Sequence, residues 1–533
     1  MRGISRRVAV IGAGFGGLSA ALALRASGHH VTVYEAGHRV GGKADRLSAN
    51  GRSFDTGPSL LTMPDVLEQV FVQAGTTTSE QVTLRRLKPA FRYLFPDGTR
   101  LDLDDEPDAQ AEAVKATLGP IVATDYVRIL AHCRQIWDVA APSFVYGDAP
   151  SFGTIAERPL WSARSLGRID AARSMRSALG SLTRSPHLRA LFARFATYSG
   201  SDARVAPATL LCVGWVELGL GSWGVLGGIS AVARALAARF VALGGELRVG
   251  TGVAEILLEG DRVAGVRLED GQSVRHDVVV SNADTRALYE TLLPPQRYAP
   301  GASIAFAQRR LARAARESTP SMSGWNAVVM TPPAGRAAHT VLFPKAAPGE
   351  AIDDAYYDEF AAIFDRNTLR QHPTIYACDQ RIAHADDAHA DDAHADDAHA
   401  DDAHADDPQG AGPVFLMVNA PSASACEAGP GIDFAALEVE SLARLRAAGV
   451  LGDGHTVFRR TPTGLADRFP GSDGALYGAA SNSRFAAFLR PGNRVAGIRG
   501  LYVASGTAHP GGGVPLALLS GLAAARAVGA DHR

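Results

Sequence analysis

Apolar residues at the start of the chain follow an order that predicts three consecutive elements. RVAVI, from Arg7, is a short apolar run typical of a buried strand. FGGLSAALAL is rich in alanine and leucine and closes near Gly28, and VTVY, from Val31, is rich in β-branched residues. This order predicts a strand, a helix and a second strand in a parallel βαβ unit.

Later parts of the chain show three further patterns. From about Ala109 to Leu243, apolar residues recur at spacings of three and four, which predicts helices. RYLFPDGTRLDL predicts a hairpin around its Pro-Asp-Gly turn, and Gly244 to Asp284 predicts consecutive strands. GLYVASGTAHPGGGVPLALL, near the end, predicts a buried strand, a glycine-rich turn and a helix that starts close to Pro515.

The first turn carries a dinucleotide-binding signature, GxGxxG. Its glycines are Gly12, Gly14 and Gly17, with Gly16 inside the turn, and Glu35 ends the second strand. The turn places a pyrophosphate at the start of a helix, where free N–H groups and the dipole favour an anion. A carboxylate at Glu35 binds ribose hydroxyls and repels a 2′-phosphate.

An RxGGK sequence directly after Glu35 separates two kinds of dinucleotide. It consists of Arg39, Gly41, Gly42 and Lys43, which we expect to return backbone and positive charge to the phosphates. Nicotinamide dehydrogenases usually stop at the acidic residue, whereas this extension resembles that of the flavoproteins that include amine oxidases and carotene desaturases. The resemblance therefore favours FAD over NAD. At the other end of the chain, the glycine-rich turn from Gly506 to Gly513 and the helix start at Val514 predict an anchor for the negative charge of a reduced flavin.

Length and composition indicate a large globular enzyme. The chain has 533 residues, 46% of them apolar and 20% charged, which exceeds the size of a single core and predicts two domains or more. Its four cysteines have no disulfide or metal-ligand spacing, and no apolar signal core precedes the first strand, which suits a reducing cytoplasm. The apolar stretch from Val205 to Leu243 is interrupted by Glu217 and by five glycines between Gly219 and Gly228, so no membrane-spanning helix is predicted.

Five tandem AHADD units from Ala383 to Asp407 make the net charge of the whole chain more negative than that of the remaining residues. They carry ten aspartates, whereas the remainder has 53 basic and 45 acidic residues, a net charge of +8. Histidines five residues apart turn by about 140° along a helix, so they share no face. We therefore predict a disordered insertion and no metal site. No basic cluster interleaved with aromatic residues suggests nucleic-acid binding.

Six segments spread over the whole chain resemble the carotenoid desaturase family of bacterial phytoene desaturases and their relatives. The segments are GAGFGGLSAAL, RVGGKAD, DTGPSLLTMP, GGISAVARALA, VVVSNAD and GLYVASGTAHPGGGVPLALLSG. Within the family, PDGTRLDL, LFARFATYSGSD, LMVNAP and ALYGAASNSRFAAFLRPGNR look most like the desaturases that introduce the 3,4 double bond of a 1-hydroxycarotenoid. One departure is GTAHPGGG, where many phytoene desaturases read GTHPGAG, so the placement of His509 is open.

This resemblance implies an α/β fold with a Rossmann-like FAD-binding domain of the amine oxidase and desaturase type and a mixed α+β substrate domain. We expect the FAD-binding domain in residues 1–95, 244–300 and 490–533, and the substrate domain in 96–243 and 301–489. Related flavoproteins hold the adenine with backbone groups at the position of Val253. His509 is the candidate proton acceptor, with a structural role as the alternative.

The resemblance also implies a polyene substrate held in an apolar tunnel. The enzyme would draw this substrate from the cytoplasmic membrane as a peripheral protein, and oxygen or a quinone would reoxidise the flavin. Three other functions stay open: a phytoene desaturase, another flavin oxidoreductase such as an amine oxidase or a retinoid saturase, and a flavin-binding protein without turnover. Amine oxidases typically have an aromatic cage beside the flavin, and the closing segment has no aromatic residue between Ala504 and Leu522.

Overall fold

We analysed a computed structural model of the chain, which describes residues 5–49, 51–149, 167–293, 318–334, 337–384, 411–483 and 490–532. The strands, numbered in chain order, are β1 (Arg7–Ile11), β2 (His30–Tyr34), β3 (Arg46–Ala49), β4 (Arg52–Asp55), β5 (Leu84–Arg86), β6 (Phe91–Leu94), β7 (Arg100–Leu103), β8 (Trp223–Val225), β9 (Glu246–Arg248), β10 (Val253–Glu259), β11 (Arg262–Leu268), β12 (Ser273–Arg275), β13 (Val278–Ser281), β14 (Ser323–Thr331), β15 (His339–Leu342), β16 (Ile375–Asp379), β17 (Gly412–Ala420), β18 (His455–Arg460) and β19 (Leu501–Val503).

The α-helices within the described residues, also in chain order, are α1 (Phe15–Ala26), α2 (Pro64–Gln73), α3 (Thr78–Gln81), α4 (Pro107–Leu118), α5 (Pro120–Ala140), α6 (Met175–Leu182), α7 (Pro186–Ala193), α8 (Cys212–Gly214), α9 (Ile229–Ala242), α10 (Thr285–Ala287), α11 (Ile352–Phe364), α12 (Gln380–Ala383), α13 (Ala423–Ala428), α14 (Phe434–Ala447), α15 (Pro462–Arg468) and α16 (Val514–Asp531). Short 3₁₀ or π segments cover Ala141–Val145, Arg194–Ser199, Ala208–Leu211, Trp215–Gly219 and Leu288–Leu292.

A five-stranded parallel sheet forms the first domain, in the order β19-β13-β1-β2-β9. Strand β1 is apolar because both of its faces are covered, and Val8, Ala9 and Val10 are fully buried. Helix α1 contacts α16 and α9 on one side of this sheet. The predicted βαβ unit and the α/β class are confirmed. The carboxyl ends of β1, β13 and β19 meet at one edge of the sheet.

A seven-stranded sheet, in the order β18-β14-β17-β16-β15-β6-β7, is the centre of the second domain. Its strand pairs are antiparallel except for β15 and β6. The predicted hairpin is confirmed as β6 and β7, and its turn is closed by a hydrogen bond from the Phe95 N–H to the Thr99 carbonyl. Apolar side chains of α5, α7 and the neighbouring segments pack against this sheet in one large core.

Two domain boundaries differ from those predicted by the sequence. Residues 91–95 were placed with the FAD-binding domain, but β6 pairs with β15 and therefore belongs to the second sheet. Helix α9 was placed with the substrate domain, but its apolar face packs against α1 and the five-stranded sheet. Both errors arise because local periodicity gives the type of an element and not the sheet on which it packs.

The predicted insertion, 383–407, lies outside the described residues except for its first two positions. Ala383 ends α12, and His384 is buried, with its carbonyl accepting a hydrogen bond from the Gly227 N–H. These two residues therefore belong to the folded protein and not to an insertion. All four cysteines are free in the structure. Among the described helices, α16 alone is long and apolar enough to span a membrane, and 61% of it is buried inside the protein.

Candidate functional site

The glycines of the first turn are required by close packing around Gly12 and Gly16. A Cβ atom on Gly17 would lie 2.1 Å from the Gly12 carbonyl oxygen, and one on Gly16 would lie 2.3 Å from the Ala504 carbonyl oxygen. Gly12 itself has a φ of +96°, which an L side chain rarely adopts. The turn thus holds the start of α1 against the ends of both β1 and β19.

Asn282, directly after β13, joins the three strand ends, and its only sequence signal was membership of the VVVSNAD segment that carries part of the family resemblance. Its Oδ1 accepts a hydrogen bond from the Gly14 N–H at 3.0 Å, and its Nδ2 donates to the Ala504 carbonyl. A Cβ on Gly14 would lie 2.5 Å from this Oδ1 atom. The sequence attributed the glycine at position 14 to close approach of the backbone to a pyrophosphate. In the structure, a side chain at this position would collide with Asn282, which is a second reason for a glycine there.

Glu35 lies where the sequence placed it, one residue beyond β2 and beside the first turn. Its Oε2 accepts a hydrogen bond from the Ala13 N–H at 2.7 Å, and its Oε1 accepts one from the Gly37 N–H at 2.8 Å. Each carboxylate oxygen has a second lone pair. The fixed carboxylate can therefore accept hydrogen bonds from a pair of vicinal hydroxyl groups.

The RxGGK segment returns its backbone to the first turn. The Gly41 N–H donates to the Ala13 carbonyl at 2.9 Å, and Gly41 forms a parallel bridge with Gly14. Gly42 follows with a φ of +59°, and a Cβ there would lie 3.4 Å from the Gly14 Cα. This backbone contact agrees with the prediction.

The positive charges of this segment contact other groups of the protein. The Arg39 Nε lies 3.6 Å from an Asp45 carboxylate oxygen. The Lys43 Nζ donates to the carbonyls of Ala475 and Leu476 at 2.9 and 3.0 Å, and burial lowers the pKa of Lys43. Both cations already have partners within the protein, and Lys43 connects the turn to the second domain.

The DTGP loop packs against RxGGK. Asp55 accepts hydrogen bonds from the Oγ and the backbone N–H of Ser230, at 2.6 and 3.1 Å, and so caps the first turn of α9. A Cβ on Gly57 would lie 2.0 Å from the Lys43 carbonyl oxygen. Three of the segments that carry the family resemblance therefore pack together beside the first turn.

The C-terminal turn leads from β19 into α16 and leaves space at Gly506 and Gly513. Gly513 is exposed and has a φ of +100°, and no atom lies within 4 Å of the position that a Cβ would take there. A Cβ on Gly506 would have only Gly512 and Gly511 nearby, at 3.4 Å and beyond. Helix α16 begins at Val514 with Pro515 in its first turn. The free end of α16 therefore faces a region open to a ligand.

Val253 and His509 occupy different surroundings. Val253 begins β10 and is buried, two residues beyond Thr251, whose N–H donates to the Glu35 carbonyl. The buried His509 ring contacts the Gly147 carbonyl through Nε2 at 3.0 Å, and desolvation by burial lowers its pKa. This contact ties the C-terminal turn to the segment after α5, which favours the structural role for His509.

Tyr477 is a second contributor that sequence reasoning missed. A Cβ on Gly512 would lie 2.7 Å from the Tyr477 Cδ1, so the ring packs directly on the C-terminal turn. The segment from Ala475 to Tyr477 thus contacts Lys43 at one end and Gly512 at the other. Its only sequence signal was membership of the ALYG segment that carries part of the family resemblance.

These residues fit FAD. The first turn offers a helix start for the pyrophosphate, the Glu35 carboxylate offers acceptors for the ribose, and the C-terminal turn offers open backbone and the start of α16 for the isoalloxazine. Within the described residues, no group of three or more histidine, cysteine or acidic side chains is arranged to hold a metal ion.

Comparison with known proteins agrees with this site. The family model described as flavin containing amine oxidoreductase matches residues 15–331. A hydroxyneurosporene desaturase from Rubrivivax gelatinosus is 32% identical over 98% of this chain and 93% of its own, and one from Rhodobacter capsulatus is 33% identical over 98% of both chains.

Solved structures support the fold alone. An oxidoreductase from Methanosarcina mazei has a TM-score of 0.60 at 18% identity and covers 97% of this chain and 99% of its own. A cyclohexylamine oxidase from Brevibacterium oxydans has a TM-score of 0.57 at 16% identity and covers 99% of this chain and 100% of its own. The chain belongs to the flavin containing amine oxidoreductase family, and it is an FAD-dependent oxidoreductase of the carotenoid desaturase type.

Proposed function

We propose that this enzyme introduces the 3,4 double bond into an acyclic hydroxylated carotenoid. The observation that carries the proposal is the similarity over essentially the whole chain to three proteins named hydroxyneurosporene desaturase, at 31 to 33% identity. A 4,4'-diapolycopene oxygenase from Methylomonas is less similar, at 28% identity. Both domains contribute to the similarity, so it covers the substrate domain as well as the cofactor site.

Desaturation removes a hydride and a proton from adjacent carbons of a substrate with few polar atoms. Bound FAD supplies the hydride acceptor. The protein must position one C–C bond, exclude water from the cationic carbon skeleton, and accept the proton. The proton acceptor is not assigned to a residue, because the one candidate from the sequence, His509, already contacts the Gly147 carbonyl.

Substrate delivery and reoxidation belong to the same proposal. A carotenoid is dissolved in lipid, so the enzyme would bind the cytoplasmic membrane peripherally, and the net charge of +8 outside the repeats favours an anionic surface. Oxygen or a quinone would reoxidise the FAD.

Pigment analysis in cells tests the substrate and the reaction together. The gene would be expressed in three strains that accumulate phytoene, neurosporene or hydroxyneurosporene, with Gly17→Val as the matched control because its side chain collides with the Gly12 carbonyl. The proposal predicts that only the hydroxylated pigment loses one H₂ by mass and absorbs at longer wavelength. Conversion of phytoene, an oxygenated product, or no pigment change in any strain would contradict it.

A further inference from the structure

Arg490 is a cation beside the C-terminal turn with weak contacts only. Its Nη1 donates to the carbonyls of Tyr477 and Gly506, both at 3.4 Å, which is the long end of the hydrogen-bond range. A Cβ on Gly511 would lie 3.6 Å from its Cζ atom. Arg490 as a whole residue is half-buried. The guanidinium therefore has unused donors next to the turn.

No carboxylate among the described residues lies within ion-pair distance of Arg490. Desolvation is the sole cause that shifts its pKa, which falls to about 10. Arg494, four residues later, shows the usual alternative, because its Nε lies 2.9 Å from an Asp531 carboxylate oxygen. A largely desolvated cation without an anionic partner is costly. Such a group is expected where an anion binds.

The surroundings of Arg490 place it at the isoalloxazine end of the FAD site. The carbonyl that it contacts belongs to Tyr477, whose ring packs on Gly512 in the C-terminal turn. The pyrophosphate turn is a separate segment, in which Asn282 accepts a hydrogen bond from the Gly14 N–H, and no contact between Arg490 and that turn is found among the described residues. The helix start at Val514 and the Arg490 guanidinium are thus two positive groups on one turn.

We propose that Arg490 is an electrostatic partner of the isoalloxazine and stabilises reduced FAD. Reduction by two electrons leaves negative charge near N1 and the C2 carbonyl, and a nearby cation favours that state over the neutral oxidised ring. Arg490 therefore raises the reduction potential of the bound FAD and makes it a better hydride acceptor. This role depends on bound FAD and not on which substrate is used.

Redox titration of the purified FAD-loaded protein tests the role without turnover. Arg490→Met, Arg490→Gln and Arg490→Lys would be compared with the wild type, and Arg494→Met is the matched control. In Arg490→Met and Arg490→Gln, we expect the ratio of the affinities for reduced and oxidised FAD to fall at least about tenfold. This change corresponds to a two-electron reduction potential that is lower by about 30 mV. Arg490→Lys retains most of the potential, and Arg494→Met leaves it unchanged.

FAD affinity and sulfite binding separate this role from a phosphate contact and from a purely structural role. Sulfite adds to oxidised flavin and leaves negative charge on the ring, so its affinity should fall about tenfold in the two neutral variants. Unchanged potentials would overturn the proposal. Equal loss of affinity for oxidised and reduced FAD would also overturn it, since Arg490 would then contact the phosphates. If all three variants fail to fold, the residue is structural and the proposal is wrong. Failure of the carotenoid assay alone leaves these titrations unaffected.

Discussion

Replacement of Asn282 should weaken FAD binding although the side chain need not touch the cofactor. Asn282→Ala removes the hydrogen bond from the Gly14 N–H and the one to the Ala504 carbonyl. A net hydrogen bond stabilises by about 1 kcal/mol. Because the first turn must hold its conformation to bind the pyrophosphate, the two bonds together correspond to about 2 kcal/mol, or roughly a 30-fold rise in the Kd for FAD.

Asn282→Asp makes the prediction sharper because it preserves the shape of the side chain. The carboxylate still accepts from the Gly14 N–H but cannot donate to the Ala504 carbonyl. It also places a negative charge close to a turn that binds phosphates, and two unit charges about 7 Å apart repel by roughly 2 kcal/mol at an effective dielectric of 20. Asn282→Asp should therefore bind FAD at least as weakly as Asn282→Ala.

Quenching of flavin fluorescence during titration of the apoprotein measures both Kd values. Raising the salt concentration should recover part of the affinity of Asn282→Asp and none of that of Asn282→Ala, since only the first loss is electrostatic. Circular dichroism of the apoproteins checks that both variants are folded. The reasoning is refuted if Asn282→Ala stays within threefold of the wild type, or if the aspartate variant binds more tightly than the alanine variant.

Four further predictions concern other parts of the chain. Arg194 and Glu217 form a buried ion pair in the second domain, with 8% and 1% of their side chains exposed, so Glu217→Gln should cost about 3 kcal/mol of unfolding free energy. In a denaturation cycle, Arg194→Met with Glu217→Gln should cost less than the sum of the two single changes, and additive costs would contradict the pairing. Burial lowers the pKa of His276 to about 4. The stability that depends on its neutral form is therefore complete above pH 6.5 and is lost as the pH falls towards 4. His276→Gln should flatten the pH dependence of Tm between these two values, and an unchanged slope would count against this reasoning. Deletion of 388–407, four of the five repeats, should leave Tm and FAD content unchanged, and loss of FAD would show that the repeats support the fold. The His509→Ala enzyme should retain bound FAD and should desaturate the carotenoid at the wild-type rate. A large loss of this rate with FAD still bound would restore His509 as the candidate proton acceptor.

Local patterns predicted the elements of the FAD-binding domain well, because the chemistry of this site depends on residues that are close in sequence. Gly12 and Gly17 constrain a turn of six residues, and Glu35 follows the next strand directly. The hairpin at Phe91 and the helix that starts at Val514 were predicted for the same reason. Their turn residues and apolar periodicity are complete within a short window.

The remaining features depend on contacts between distant segments. Asn282 lies 268 residues from Gly14, and Lys43 lies 432 residues from Ala475, so neither pairing has a local signal. Lys43 was expected to contact the phosphates because its true partners, two carbonyls of the other domain, cannot be recognised from the sequence around it. Arg490 stood out in the sequence only as part of a longer segment of the family resemblance, and its lack of an acidic partner is visible only after folding.

Anaerobic single turnover tests the central claim most directly. The purified FAD-loaded enzyme would be mixed with hydroxyneurosporene in lipid vesicles without oxygen or quinone, while the flavin absorbance and the pigment are followed together. We predict that the oxidised flavin band disappears and that one equivalent of a pigment with one additional double bond, at the 3,4 position, forms for each FAD reduced. A flavin band that stays oxidised with this substrate, or that is reduced by an amine or by phytoene instead, would contradict the account.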